Sequence, residues 1–475
     1  MNDRTAPGFL DVVLDRTLGN LRAAWRDISA SARGAVGAGP RPDLPSDDAQ
    51  RLHTQMRDCL DGKGGEVSAR QRAAELGRTY LELSAIGRDR FLRMLAGDFG
   101  CDHDAVKAAA EALIAAEPDK VMRAERDLAR ALEAPRVRLL KQFNGLPEGV
   151  KFLVDLRAEL LPIARGDPAL AALDADLHGL LASWFDVGFL ELRRITWEAP
   201  AALLEKLIAY EAVHAIRDWR DLKNRLEADR RCFAFFHPRM PDEPLIFVEV
   251  ALVNGISGHI EPLLDESAPV ADPKSADTAI FYSISNCQRG LDGISFGNFL
   301  IKRVVDLLAG ELRNLKTFAT LSPIPGFRTW LDGRIADGGF EALLRPGESD
   351  AVAAAAHGVA GGAAAALADG TWLTRPALAD ALRPPLERLG ATYLTSLRPK
   401  GRRAIDPVAH FHLTNGARVE RLDWLADPSD KGMRQSFGMM VNYLYRFDSI
   451  DTNHEAYRGE GKISASSPIR ALAKG

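Results

Sequence analysis

Residues 278–312 read TAIFYSISNCQRGLDGISFGNFLIKRVVDLLAGEL, and three kinds of chain follow one another within them. Thr278 to Ser285 is rich in β-branched and aromatic residues, which predicts a strand. Asn298 to Leu312 carries Phe299, Leu300, Val304, Val305, Leu307 and Leu308 on one side, which predicts an amphipathic helix. Between them lies Cys287 to Gly297, punctuated by Gly290, Gly293 and Gly297. Glycine lets a backbone turn sharply and come close to a ligand. A helix N-terminus adds free N–H groups and a partial positive charge. The order strand, glycine loop, helix is therefore a candidate pyrophosphate cradle, with Gly290, Leu291, Asp292, Gly293, Ile294, Ser295 and Gly297 as its contact residues. Its spacing matches neither the Walker loop nor the dinucleotide G-x-G-x-x-G. Gly293 to Gly297 is also a literal G-x-S-x-G, which makes Ser295 a rival nucleophile with His412 downstream as a base. No H-G-G-G segment lies upstream to form an oxyanion hole.

Working outward from this unit, the chain changes character near residue 188. Later strand-like runs are Phe189 to Thr196, Leu245 to Val253, Thr317 to Leu321, Pro407 to Leu413 and Ala417 to Trp424. Earlier segments repeat apolar residues at helical spacing, as at Leu76, Tyr80, Leu83 and Ile86, or Leu153, Leu156 and Leu160, the last stopped by Pro162. Pro and Gly fall between these periods and mark helix breaks, predicting a bundle of seven or eight helices. Ser46 is expected to cap one of them, with Asp47 and Asp48 in its first turn. The expected fold is α+β: an all-α helical-bundle domain over 1–188, then a mixed α/β domain over 189–475. The Ala/Gly-rich stretch Ala351 to Gly370 is read as a peripheral insertion without chemistry.

Composition narrows the function. Of 475 residues, 61 are Lys or Arg and 65 Asp or Glu, for a net charge of −4. So balanced a chain has no global field for nucleic acid. No apolar run is long enough to span a bilayer, and neither a secretory leader nor a peroxisomal or prenylation motif is evident. Cys59, Cys101, Cys232 and Cys287 lie far apart and read as free thiols of a reducing, cytoplasmic compartment.

Three more clusters could carry chemistry. Leu321-Ser322-Pro323-Ile324-Pro325-Gly326-Phe327 ends a predicted strand. Its two prolines stiffen the turn, so that Ser322 presents its hydroxyl in a fixed direction or serves as a local cap. In His410-Phe411-His412, a strand would put both imidazoles on one face, as a metal pair, a catalytic imidazole, or ordinary core and surface residues. No third ligand at zinc spacing accompanies them, and no metal is assigned. Glu211 and His214 form an E-x-x-H on a predicted helix, without the second copy that a di-iron bundle needs, and read as a helix-surface contact.

Together these segments resemble the malonyl-CoA decarboxylase family. The resemblance is carried by Gly290-Leu291 with Gly293-Ile294 and Gly297, by Phe299 to Val305, by Leu321 to Phe327, and by Phe411-His412-Leu413 with Asn415-Gly416-Ala417. It extends to Asn442-Tyr443 with Tyr445, Tyr210 to His214, Arg230-Arg231-Cys232 and Glu243-Pro244-Leu245. It implies a helical domain that builds a homotetramer and a catalytic domain similar to the GNAT-type N-acetyltransferases, whose glycine loop holds the CoA pyrophosphate. Gly290 and Ser295 stand where acetyltransferases place a leading Gln or Arg and a final small residue. The resemblance further implies decarboxylation of malonyl-CoA to acetyl-CoA and CO2 through a thioester enolate, without a cofactor, in fatty-acid and malonate metabolism. Ser322 and His412 would be the catalytic pair, with Tyr445 and Asn442 lining the site. The alternatives are a CoA-dependent acyltransferase, a serine hydrolase using Ser295, and a non-catalytic CoA-binding protein.

Overall fold

A computed structural model describes residues 25, 39–61, 66–294, 300–399 and 401–474. Ser295, Gly297 and the start of the helix predicted from Asn298 lie outside the described residues. Among those described between Ser46 and Trp184 there are eight helices: α1 Ser46–Leu60, α2 Glu66–Glu82, α3 Ala85–Asp98, α4 His103–Ile114, α5 Val121–Leu132, α6 Pro135–Phe143, α7 Gly149–Ile163 and α8 Pro168–Trp184. Their starts follow local chemistry. Ser84 caps α3 and Asp167 caps α8, each accepting backbone N–H groups of the first turn. Ser46 is not a cap: it is the first helical residue, Pro45 precedes it, and Asp47 and Asp48 supply the acidic first turn. Helix α7 continues through Pro162 to Ile163 and is buried on most of its sides, from Val150 through Leu160, the mark of a helix in the middle of a core.

The remaining chain folds around one eight-stranded sheet, with strands β1 Glu191–Ile195, β2 Arg230–Phe236, β3 Ile246–Val253, β4 Thr278–Asn286, β5 Thr317–Thr320, β6 Ser322–Pro323, β7 Arg418–Asp423 and β8 Met440–Tyr445. The order is β1-β2-β3-β4-β5-β8-β6, and β7 also pairs with β8. All neighbours are antiparallel except β4 and β5, which run parallel. The link between that pair contains the glycine loop and helix α9 (Leu300–Glu311), since parallel neighbours need a crossover. This strand–loop–helix–strand unit has the order of elements expected from residues 278–312. Strand β2, buried along its whole length, and β8 were not among the expected strands.

The helical and sheet regions share one hydrophobic core, in which Leu153, Leu156 and Leu177 belong to the same cluster as Val248, Phe281 and Val304. No helix among the described residues is long and apolar enough to cross a membrane. All four cysteines are free. The Ala/Gly-rich stretch forms two short helices, Pro346–Ala355 and Gly362–Asp369, separated where Gly358, Gly361 and Gly362 take positive φ.

Two expectations are overturned. Residues Pro407–Thr414 form a helix, α10, where a strand was expected. Asp406 caps it by accepting the Ala409 N–H at 2.8 Å, and Pro407 occupies the first turn. Cap plus proline outweighs β propensity here. Asn415-Gly416 closes that helix, with Gly416 at φ +81°. Likewise Glu211 and His214 lie beyond the helix Ala201–Tyr210, which ends one residue earlier. Glu211 instead accepts the N–H groups of Val213 and His214 and the hydroxyls of Ser283 and Ser285, tying that loop to β4.

Candidate active site

Residues two apart on a helix diverge by ~200°, so His410 and His412 do not share a face. His410 meets the Tyr457 hydroxyl at 2.7 Å. His412 turns into the core, where its Nε2 lies 3.2 Å from Ser322 Oγ and its Nδ1 lies 2.7 Å from the Tyr445 hydroxyl. The Tyr443 ring stacks on the imidazole, centroids 4.4 Å apart. The same-face metal pair is thereby excluded.

Ser322 reaches this point because β5 and β6 are one strand with an interrupted ladder. Ala319 pairs with Leu444 and Ser322 with Val441 in a single register, while the two positions between them are bridged by side chains. Tyr443 N–H donates to Thr320 Oγ1 at 3.1 Å, and Asn442 Nδ2 donates to the Thr320 carbonyl at 2.7 Å. Asn442 also donates to the Ser257 carbonyl. Thr320 and Ser322, two apart on an extended chain, face the same way, and Ser322 Oγ donates to Thr320 Oγ1 at 2.8 Å. With its proton so engaged, Ser322 accepts from His412, which puts the imidazole proton on Nε2 and leaves Nδ1 to accept from Tyr445.

The imidazole sits in the last turn of α10, where the helix dipole favours a cation by ~0.3–1 kcal/mol. Burial opposes this and wins, pushing the His412 pKa down to about 3. The same burial raises the Tyr445 phenol well above its ordinary value. The network is therefore neutral near pH 7, with the imidazole as its free base and the phenol holding its proton.

Ser322 and His412 form part of the wall of a cavity of about 260 Å³, with Phe281, Tyr282, Ile284 and Asn286 from β4, Pro323, and Pro407, Val408 and Phe411 of α10. An extra residue at Tyr282 shifts the register between β3 and β4, and such a bulge re-aims side chains. Tyr445 and Asn442 do not line this cavity; they stand behind His412 and Thr320. A second cavity of about 390 Å³ shares Asn286 and Phe411 with the first, so the two adjoin. Its wall includes Leu291, Asp292, Gly293 and Ile294 of the glycine loop, faced by Arg403, His410 and Arg458. Sequence reading missed Thr320, Arg403 and Arg458. Only Asp406-Pro407, a helix-start signal, could have pointed to α10.

A family model for the malonyl-CoA decarboxylase C-terminal domain matches residues 188–475, and one for the N-terminal domain of the same family matches residues 99–185. The chain belongs to the malonyl-CoA decarboxylase family. It is 37% identical to the mitochondrial malonyl-CoA decarboxylase of Mus musculus, over 96% of this chain and 92% of that protein. The counterpart from Anser anser anser is 39% identical, over 84% and 83%. Among solved structures, malonyl-CoA decarboxylase from Rhodopseudomonas palustris superposes with a TM-score of 0.81 at 43% identity, covering 89% of this chain and 99% of that one. The Agrobacterium vitis protein gives 0.79 at 44%, with the same coverage. The family is named for a carboxy-lyase activity on malonyl-CoA.

Proposed function

We propose that this chain performs its family's reaction, converting malonyl-CoA to acetyl-CoA and CO2, with Ser322 and His412 as the groups that touch the acyl end. One observation supports the assignment. A hydroxyl and an imidazole from positions 90 residues apart are hydrogen-bonded to each other in a cavity wall that adjoins the glycine loop.

The bond from C2 to the carboxylate breaks, its electron pair moves to C2, and the thioester carbonyl takes up the charge as an enolate. The substrate supplies the electron sink, so the reaction needs no cofactor. With substrate in place, the Ser322 hydroxyl exchanges its bond to Thr320 Oγ1 for one to the carboxylate and holds it out of the carbonyl plane. His412 Nε2–H likewise turns from Ser322 Oγ to the thioester oxygen as charge builds there, a contribution of about 3–4 kcal/mol for a preorganised donor in a dry site. Its pKa keeps it a neutral donor. Tyr445, whose buried phenol holds its proton, fixes the imidazole tautomer through Nδ1. After CO2 leaves, a solvent proton reaches C2 by way of the Ser322 hydroxyl. The glycine loop, with Arg403 and Arg458 opposite, receives the phosphates of CoA.

Incubating the purified protein with malonyl-CoA in D2O tests this. The expected product is acetyl-CoA with one deuterium in its methyl group. Free malonate, or turnover only with an added amine, would sink the reading. The helical region is further assigned to self-association as a homotetramer. Its support is the α4–α5 hairpin, where Ile114 is 85% and Met122 76% exposed. Light scattering that gives a monomer would refute it.

A further inference from the structure

The glycine loop is shaped by the helical region as well as by its own sequence. Arg157 of α7, 3% exposed, sends Nη1 to the carbonyl oxygens of Gly290 at 2.7 Å and Asp292 at 2.9 Å. Its Nε is held by Asp174 of α8 at 2.8 Å. His178, one turn further along α8, lies with Nε2 3.3 Å from the Gly293 carbonyl. Two side chains of the bundle therefore hold three loop carbonyls. Gly290 owes its lack of a side chain to the same contact: a Cβ there would stand 1.7 Å from the Val154 carbonyl oxygen of α7. The peptide between Asp292 and Gly293 is trans, so turning its carbonyl toward Arg157 turns the Gly293 N–H the opposite way. Gly293 lines the arginine-flanked cavity, whose named wall residues all belong to the sheet region. The loop is thus a partition, with carbonyls facing the bundle and an amide facing the groove.

We propose that Arg157 is a positioning residue for substrate binding, with His178 as its second support. By holding the loop carbonyls, the bundle presents the loop amide to the CoA phosphates and so sets the affinity for malonyl-CoA. This rests on the reading of the loop as the CoA phosphate site. A lysine cannot replace the planar guanidinium, which bridges Asp174 and two carbonyls at once.

The test measures KM and kcat on malonyl-CoA and on malonyl-pantetheine, which ends before the phosphates. Arg157→Lys should raise KM for malonyl-CoA roughly tenfold, and His178→Ala about threefold, with kcat little changed. Neither should alter KM for malonyl-pantetheine. His178→Gln, which restores an N–H donor, should recover the wild-type KM. His178 is only partly buried, so its variants keep the question answerable if Arg157→Lys fails to fold. Wild-type KM in both Arg157→Lys and His178→Ala overturns the proposal, as does an equal loss on the two substrates, which marks a merely structural role. If the wild-type protein gives the same KM for both substrates, the phosphate reading of the loop falls first and takes this proposal with it.

Discussion

At the loop end of the groove the flanking side chains include full charges: Arg403 and Arg458 are both exposed and line one cavity with Leu291 to Ile294. At the acyl end every group is neutral. His412 is 2% exposed, Ser322 5%, and Tyr445 2%, and burial keeps the imidazole unprotonated. Charges in water are screened and individually modest. Neutral dipoles fixed in a dry wall act at low dielectric and need no reorganisation when charge appears. On the proposed function, one end would hold a polyanion that does not change during the reaction, and the other would answer a charge that exists only in its transition state. Binding and rate should therefore separate when the two ends are perturbed one at a time.

The strongest way to break that division is at the acyl end. Ser322→Ala and His412→Ala should each lower kcat by ~10²–10³, with KM for malonyl-CoA changed only a few-fold; wild-type kcat in both would end the assignment. At the loop end, the double substitution Arg403→Ala/Arg458→Ala should raise KM roughly tenfold and leave kcat within about twofold. A fall in kcat matching the rise in KM would show that the two ends are not separable. Smaller still is the effect of salt. Going from about 0.05 to 0.5 M NaCl should raise wild-type KM a few-fold without touching kcat, and the double variant should have lost most of that dependence.

The smallest expected effect is a null one. In ¹⁵N NMR, the His412 ring nitrogens should not titrate between about pH 8 and 5, because the folded group protonates only near 3, against ~6.5 for a free imidazole. The linkage follows. A histidine whose folded pKa is depressed contributes its stability above ~6.5 and loses it as pH falls from there toward 3. Thermal midpoints should therefore decline with acidification over that window, and less steeply in His412→Asn. An inflection of the imidazole near 6.5 would make the acyl end a charged site like the other.

Local pattern made much of the fold legible. The strand–loop–helix unit follows from β-branched content, glycine spacing and an apolar helical stripe, all read within 35 consecutive residues. Ser322 stood out because Pro323 and Pro325 follow it and stiffen its turn, which left open whether it acts or merely caps. What stayed hidden depends on contacts distant in sequence. Phe411 and His412 look strand-like alone, and only Asp406 with Pro407 turns the balance to helix. Arg403 and Arg458 carry no pattern that separates them from other surface arginines until two elements bring them to one cavity. Arg157 meets the loop across 133 residues, with nothing in its own helix to mark it. Strand β2 lacks polar alternation because both its faces are covered.

Strand β4 borders both cavities, from Phe281 beside the acyl pair to Asn286 at the start of the loop. Its rise of ~3.3 Å per residue sets about 16 Å between those two points. Over this span β4 is paired with β3 up to Asn286, while β5 pairs with it only as far as Phe281, so the spacing is fixed from one side. An acyl carrier whose arm is shorter or longer than pantetheine would seat its phosphates and leave its reactive carbon out of register. On the proposed function, selectivity for the handle would be written into a length, apart from any contact with the malonyl group.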